Sequence, residues 1–202
     1  MESNHFYLTI AKESFAEYKE KGSKFLAFAY PVDNKMVFKQ YFELIKSEHS
    51  KASHHCFAYR LGLDTNNYRL SDDGEPSGTA GKPILNQILS KQITNVAIIV
   101  VRYFGGTLLG VSGLINAYKT AAALTLQIVP IVQKTIDTNF LLEFDYTIMN
   151  NVMLLIRQFN CSILEQHIQL FCVLKISVAN AKVPEFLYRL KDFKAIQIQQ
   201  MN

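Results

Sequence analysis

Three stretches of this chain hold residue types able to do chemistry. The first is ASHHCFAYR (52–60), where His54 and Cys56 lie two residues apart. In an extended backbone such a pair shares one face, and an imidazole beside a thiol is the minimum for a thiolate–imidazolium nucleophile. The same position equally suits a small buried thiol that only packs. The second is the loop SDDGEPSGTAG (71–81), which gathers Asp72, Asp73 and Glu75 among Ser71, Gly74, Pro76, Ser77, Gly78 and Thr79. Clustered carboxylates could hold a hard cation, could orient the basic residues of a partner, or could cap nearby backbone as Asp and Ser do in turns. The third is VVRYFGGTLLGVSG (100–113), which runs from an apolar segment through Arg102, Tyr103, Gly105 and Gly106 to Gly110, Ser112 and Gly113.

That third stretch has a physical logic for binding anions. The first N–H groups of a helix lack partners within it, and the helix dipole adds partial positive charge there. Arg102 at a strand end could offer a planar fork to phosphate or carboxylate, and Lys82, just past the acidic loop, could add a point charge. Tyr103 and Phe104 could stack on bases or belong to the core, and the glycines could serve only close packing of helix on sheet. Stricter motifs fail. A P-loop ending at Gly81-Lys82 would need glycine at Pro76 and a hydroxyl at Pro83. An EF-hand begun at Asp72 would need Glu where Pro83 stands. No glycine spacing fits a dinucleotide fingerprint, and no ligand spacing fits a metal motif, so neither cofactor nor metal is expected.

The elements that must position these groups follow from periodicity and punctuation. Strands are predicted over 5–9 and 23–30 with a bend at Gly22, and a helix over 33–48 capped by Asp33. A strand over 53–61, a turn with a short edge strand over 64–71 and a short helix from Pro83 to about Lys91 come next. The run VAIIVV (96–101) reads as a central strand buried on both faces, and a helix follows over 112–127. Beyond Pro130, which a helix cannot continue, the pattern is simpler. It gives a strand over 135–146, a helix from Asn150 or Asn151 to Phe159, strands over 161–167 and 171–179, a helix from Pro184 to Lys191 and a strand over 195–199. That βαββαβ order is ferredoxin-like. The expected fold class is α+β, with domains over 1–133 and 134–202. All nine glycines fall between Gly22 and Gly113, which confines the irregular backbone to the first domain.

Composition narrows the function classes. A chain of 202 residues, 49% apolar and 19% charged, is neither collagen-like, disordered nor a disulfide scaffold. Three cysteines without a CxxC pair point to a reducing compartment, so a cytoplasmic location is expected. The net charge of +4 permits a polyanionic partner without requiring one. The opening residues lack the basic and apolar regions of a signal peptide. Between Arg102 and Lys134 the only charge is Lys119, yet glycines and Pro130 interrupt the stretch, so no membrane span is expected.

Taken in order, KGSKFLAFAYPV (21–32), ASHHCFAYRLG (52–62), SDDGEPSGTAGKPIL (71–85) and VVRYFGGTLLGVSGLINAY (100–118) resemble the IMPACT/YigZ family. The resemblance implies a ribosomal-protein-like α+β domain, with helices on one face of its sheet and a left-handed crossover that departs from the usual hand. It implies a ferredoxin-like second domain, a pairing similar to the C-terminal domains of translation elongation factor G. Eukaryotic relatives regulate translation by competing for the activator of the amino-acid-starvation kinase, and do so with an added domain, so that partner is not carried over. For the bacterial type the resemblance implies a cytosolic protein associated with nucleic acid or the ribosome. Two positions depart from the family pattern after RYFGG: Ser112 stands for a glycine and Asn116 for a basic residue. The first removes a flexible position and offers a helix cap; the second removes a phosphate contact.

Three functional readings follow. One is a non-catalytic translation-associated module, binding RNA, the ribosome or a translation-control protein through Lys82, Arg102 and the glycine-rich loop. Another is a hydrolase using His54 and Cys56 with Asp72, Asp73 or Glu75. The third is a regulator that binds protein alone through the same loops. All three lean on residues 71–81 and 102–113 folding back to share one electropositive pocket with free amide hydrogens facing solvent, and the anion site requires that Arg102 not be buried against an internal carboxylate.

Overall fold

The computed structural model describes residues 5–193 and 195–201. It divides into two compact units, one spanning Tyr7–Lys134 and the other running from Thr135 onward together with the N-terminal stretch up to Phe6.

The first unit is built on a five-stranded antiparallel sheet. Its strands are β2 (Ser14–Glu20), β3 (Ser23–Pro31), β4 (His54–Arg60), β5 (Tyr68–Ser71) and β6 (Val96–Tyr103), in the spatial order β2-β3-β6-β4-β5. The continuous β-branched run lies at the centre as its composition requires, with every residue from Val96 to Val101 fully buried. Each valine or isoleucine of the run contributes about 1.5–3 kcal/mol on leaving water. Alternation divides it between two cores. Val96, Ile98 and Val100 face helices α2 (Gly81–Ser90) and α3 (Gly110–Gln127), while Ala97, Ile99 and Val101 face α1 (Lys35–Glu48). Phe38 of α1 packs on Phe57 and Tyr59 at centroid separations of 4.8 and 4.6 Å. The helices therefore cover both faces, correcting the one-sided arrangement that the family resemblance implied. The physical reason lies in β6: a strand apolar at every position must bury both sides. A two-stranded ribbon of β1 (Phe6–Ile10) and β7 (Ile131–Thr135) completes the N-terminal and linking strands.

The sequence pattern misses β2. SFAEYKE is an edge strand whose residues are half-buried and exposed in alternation, so it lacks a strong apolar run. Its hairpin to β3 turns on Lys21 (φ 45°) and Gly22 (φ 81°), a pair of left-handed residues suited to a two-residue hairpin. The cap of α1 is Asn34 rather than Asp33, its side chain accepting from the Met36 and Val37 N–H groups. Helix α2 begins at Gly81, two residues before Pro83, because Asp72 supplies acceptors to its first N–H groups.

The second unit holds β8 (Asp137–Asp145), β9 (Ser162–His167), β10 (Phe171–Ala179) and β11 (Ile196–Met201), in the antiparallel order β11-β8-β10-β9. Helices α4 (Met149–Gln158) and α5 (Val183–Leu190) bury Val152, Leu155, Ile156, Phe186 and Leu190 against it. The strand order is that of a ferredoxin-like sheet. Pro184 lies in the first turn of α5, as expected. Asn150 and Asn151 do not cap α4; Asp145 caps a short 3₁₀ turn just before it, accepting from Thr147 N–H.

Candidate functional site

The three chemistry-bearing stretches meet on the α2–α3 side of the five-stranded sheet. Antiparallel register sets His54 of β4 directly opposite Arg102 of β6. Strand alternation turns both toward the side where Cys56 and Val100 are buried. The 71–81 loop then folds across them between β5 and α2.

Glu75 is the hub. It is buried, and its Oε1 accepts from Arg102 Nη1 at 2.7 Å and from the Tyr118 hydroxyl at 2.7 Å. His54 Nε2 lies 3.9 Å from the same oxygen. Arg102, only 5% exposed, places Nη2 3.5 Å from Ser23 Oγ, and its guanidinium carbon lies 5.6 Å from the ring centroids of both Phe25 and Phe104. The Arg102 charge is thus matched inside the protein rather than presented as an open fork. Tyr118 also packs edge-on against Phe25 at 5.1 Å. Burial, with Cys56 and Glu75 alongside, pushes its hydroxyl well above the ordinary tyrosine range, so it stays a neutral donor.

Cys56 is fully buried. Its S–H faces the Asp72 carbonyl oxygen at 3.0 Å and the Tyr118 hydroxyl oxygen at 3.3 Å. Burial pushes the thiol far above its ordinary value; Glu75, Asp73 and Asp72 push the same way, and Tyr118 only partly offsets them. His54 turns elsewhere, its Nδ1 lying 2.7 Å from the Asp73 carbonyl oxygen. The two residues share a face without forming a thiol–imidazole pair.

The acidic loop is held by its own carboxylates. Asp72 accepts from the backbone N–H groups of Gly78 (2.9 Å), Ala80 (3.0 Å) and Gly81 (2.8 Å). Burial alone would raise the Asp72 carboxyl, but those three N–H donors outweigh it and hold the group below its ordinary value. Asp73, in the left-handed region at φ 43°, accepts from His55 N–H at 2.6 Å, and Ser71 Oγ accepts from Asp73 N–H at 3.2 Å. Thr79 donates its hydroxyl to the Pro76 carbonyl at 2.6 Å. Gly74 passes over His54, where an added Cβ would sit 3.6 Å from the imidazole. Ser77 is exposed and Gly78 opens to free space. Among the described residues, no group of three or more His, Cys, Asp or Glu could hold a metal ion.

The glycine-rich segment closes the site. Gly105 lies so near the Lys21-Gly22 turn that a Cβ on it would fall 1.9 Å from Gly22 carbonyl carbon. This contact and the bond from Gly105 N–H to Ser23 Oγ (3.2 Å) lock the segment to the β2–β3 hairpin. Gly106 and Gly110 take φ values of 84° and 71°, and Gly113 lets α3 pack close to Leu109. Ser112 lies within the first turn of α3, exposed, and does not cap it; the capping position is Leu109, without a side-chain bond. Tyr103 alternates to the α1 side, where its hydroxyl lies 3.0 Å from His49 Nδ1, so it leaves the site. Lys82 lines a different groove, between α2 and α3.

What the remaining residues enclose is a cleft of about 530 Å³. Its floor is His54, Glu75 and Arg102, and its rim is apolar: Pro76, Phe104 (49% exposed), Leu108 (83%) and Val111 (60%). The 71–81 and 102–113 stretches do line one cavity, but it is not the electropositive pocket expected: Arg102 is buried against the Glu75 carboxylate, which removes the anion-binding fork the sequence suggested. Tyr118 and Ser23 were not singled out from sequence. The one signal for Tyr118 is a phenolic hydroxyl flanked on α3 by Leu114, Ala117, Ala121 and Ala122, positions that read as core and oblige it to find a partner.

Fold and site together define a two-unit α+β protein whose cleft is polar and charge-matched at its base and apolar at its mouth. A family model described as the Impact N-terminal domain matches residues 21–126. The chain is 35% identical over 181 residues to the IMPACT family member YigZ of Escherichia coli, covering 89% of each chain. It is 32% identical to an IMPACT family member of Haemophilus influenzae, covering 92% of this chain and 91% of that one. A crystal structure of a protein described as hypothetical superposes with a TM-score of 0.79 at 32% identity, over 99% of both chains. This chain belongs to the IMPACT family.

Proposed function

We propose that this chain is a cytoplasmic, translation-associated regulatory protein that acts by binding rather than by catalysis, and that its cleft receives an apolar segment of a protein partner. The observation that carries the reading is the rim. Phe104, Leu108 and Val111 stand exposed together around a preformed cavity, and contiguous exposed apolar surface of this kind marks binding sites. Family membership supports the link to translation. The chemistry beneath the rim supports binding over turnover: the thiol is buried and kept protonated, and Asp72, Asp73 and Glu75 all serve internal partners. An apolar mouth with a neutralised base favours a protein partner here over RNA phosphate.

No helix among the described residues is long and apolar enough to cross a membrane. The test compares the full chain with Leu108→Asp, both immobilised and exposed to cell extract with and without nuclease treatment. Identified translation factors or ribosomal proteins held by the first and lost by the second support the reading. Equal capture by both, or capture that disappears with nuclease, overturns it.

A further inference from the structure

Helices α2 and α3 each carry a single charged residue, Lys82 and Lys119 respectively. Both lysines are exposed, and both line the same groove of about 480 Å³ between the two helices. Helical spacing brings this about: Lys82, Asn86 and Ser90 recur every four residues along one side of α2, and Ile115 and Lys119 do so on α3. The lining adds Gln87 and contains no carboxylate. Neither lysine has an ion-pair partner among the described residues.

The placement of Lys82 runs against helix electrostatics. It sits in the first turn of α2, where the dipole disfavours a cation. Asp72, the carboxylate at that helix end, is already occupied by three backbone N–H groups. Two lysines lining one groove, with the side-chain amides of Asn86 and Gln87 beside them and no counter-charge, form a site that an anion would complete.

We infer that the α2–α3 groove binds phosphoryl groups. Lys82 and Lys119 each supply a charge, and the amides of Asn86 and Gln87 supply hydrogen bonds, the Ser90 hydroxyl being already donated to the Gln87 carbonyl at 2.9 Å. The phosphates come either from a single-stranded RNA backbone or from a phosphorylated small molecule. The site is separate from the apolar cleft and stands or falls independently of it.

Pyrophosphate and a short oligouridylate serve as the two probes, each titrated into the full chain and followed by backbone amide NMR. The expected result is a shift at the amides flanking Ser90 and Lys119 that disappears in the Lys82→Gln/Lys119→Gln chain and persists in Lys39→Gln on α1. The Leu108→Asp chain should retain it, which separates this site from the cleft. No shift with either probe, or a shift that survives the double substitution, overturns the inference.

Salt dependence assigns the source. For a single-stranded backbone, one lost contact should shrink the affinity loss between about 50 and 200 mM salt by about 2.6-fold, and two contacts by about 7-fold. A salt response of the oligouridylate unchanged by the double substitution, with the pyrophosphate shift abolished, assigns the site to small phosphorylated molecules.

Discussion

Replacing Glu75 by Gln tests the buried network most directly. The amide keeps an acceptor oxygen for Tyr118 and for Arg102 but removes the charge that neutralises the guanidinium. The side chains of Arg102 and Glu75 are 6% and 3% exposed, so solvent cannot take over. An uncompensated buried charge costs about 3–5 kcal/mol. In a chain of this size that lowers the thermal midpoint by about 6–20 °C, taking about 2–4 °C per kcal/mol. Urea unfolding followed by circular dichroism should show the loss, with the slope unchanged if only stability has moved. A second variant guards against a trivial explanation. Glu75→Met with Arg102→Met removes both charges and should be at least about 2 kcal/mol more stable than the sum of the single effects predicts. A loss below about 1 kcal/mol for Glu75→Gln, or simple additivity in the cycle, would refute the account of Glu75 as the counter-charge that permits Arg102 to be buried.

Three further outcomes follow from the geometry. Asp72→Asn should cost about 1–2 kcal/mol near neutrality, because the carboxylate serves the start of α2. Its folded value lies below the ordinary 3.8, so the stabilisation is complete above that pH and is lost as pH falls through the folded value; the urea-midpoint gap to the parent chain should therefore narrow on acidification below 3.8. Gly105→Ala should be far more damaging than Gly78→Ala. The first drives a Cβ to 1.9 Å from Gly22 backbone, whereas the second meets nothing within 4 Å and bears only left-handed strain of about 1 kcal/mol, as comparative thermal melts would show. Cys56 should resist a thiol-specific disulfide reagent in the native chain and react once urea unfolds it, since the raised thiol value and full burial both suppress the thiolate. Rapid native labelling of Cys56, mapped by peptide mass, would contradict this.

The parts legible in sequence were those where one physical signal suffices. An all-apolar β-branched run could only be the central strand, and Pro130 and Pro184 punctuate where expected. The second unit's βαββαβ order needed only alternation and helix period. Capping was less legible, because Asp33 and Asn34 are both competent and only register decides between them. The site's partnerships were illegible for a different reason. Arg102 and Glu75 are 27 residues apart, and nothing local says that the carboxylate rather than a ligand meets the guanidinium. That pairing needs the sheet register which aligns His54 with Arg102, and the loop geometry fixed by Asp72.

The residues that looked most chemical, His54, Cys56, Asp72, Asp73, Glu75 and Arg102, are tied largely to one another and to backbone. A buried ion pair of this kind adds little net stability against a well-packed apolar alternative. What it does here is fix the position of the 71–81 loop relative to β6, and so hold open the cleft beneath Phe104 and Leu108. Two other charges have no ion-pair partner among the described residues: Lys82, which the sequence assigns to anion binding beside the glycine-rich loop, and Lys119, which stands alone in an apolar stretch. Only the packing of α2 on α3 makes them neighbours of a common groove.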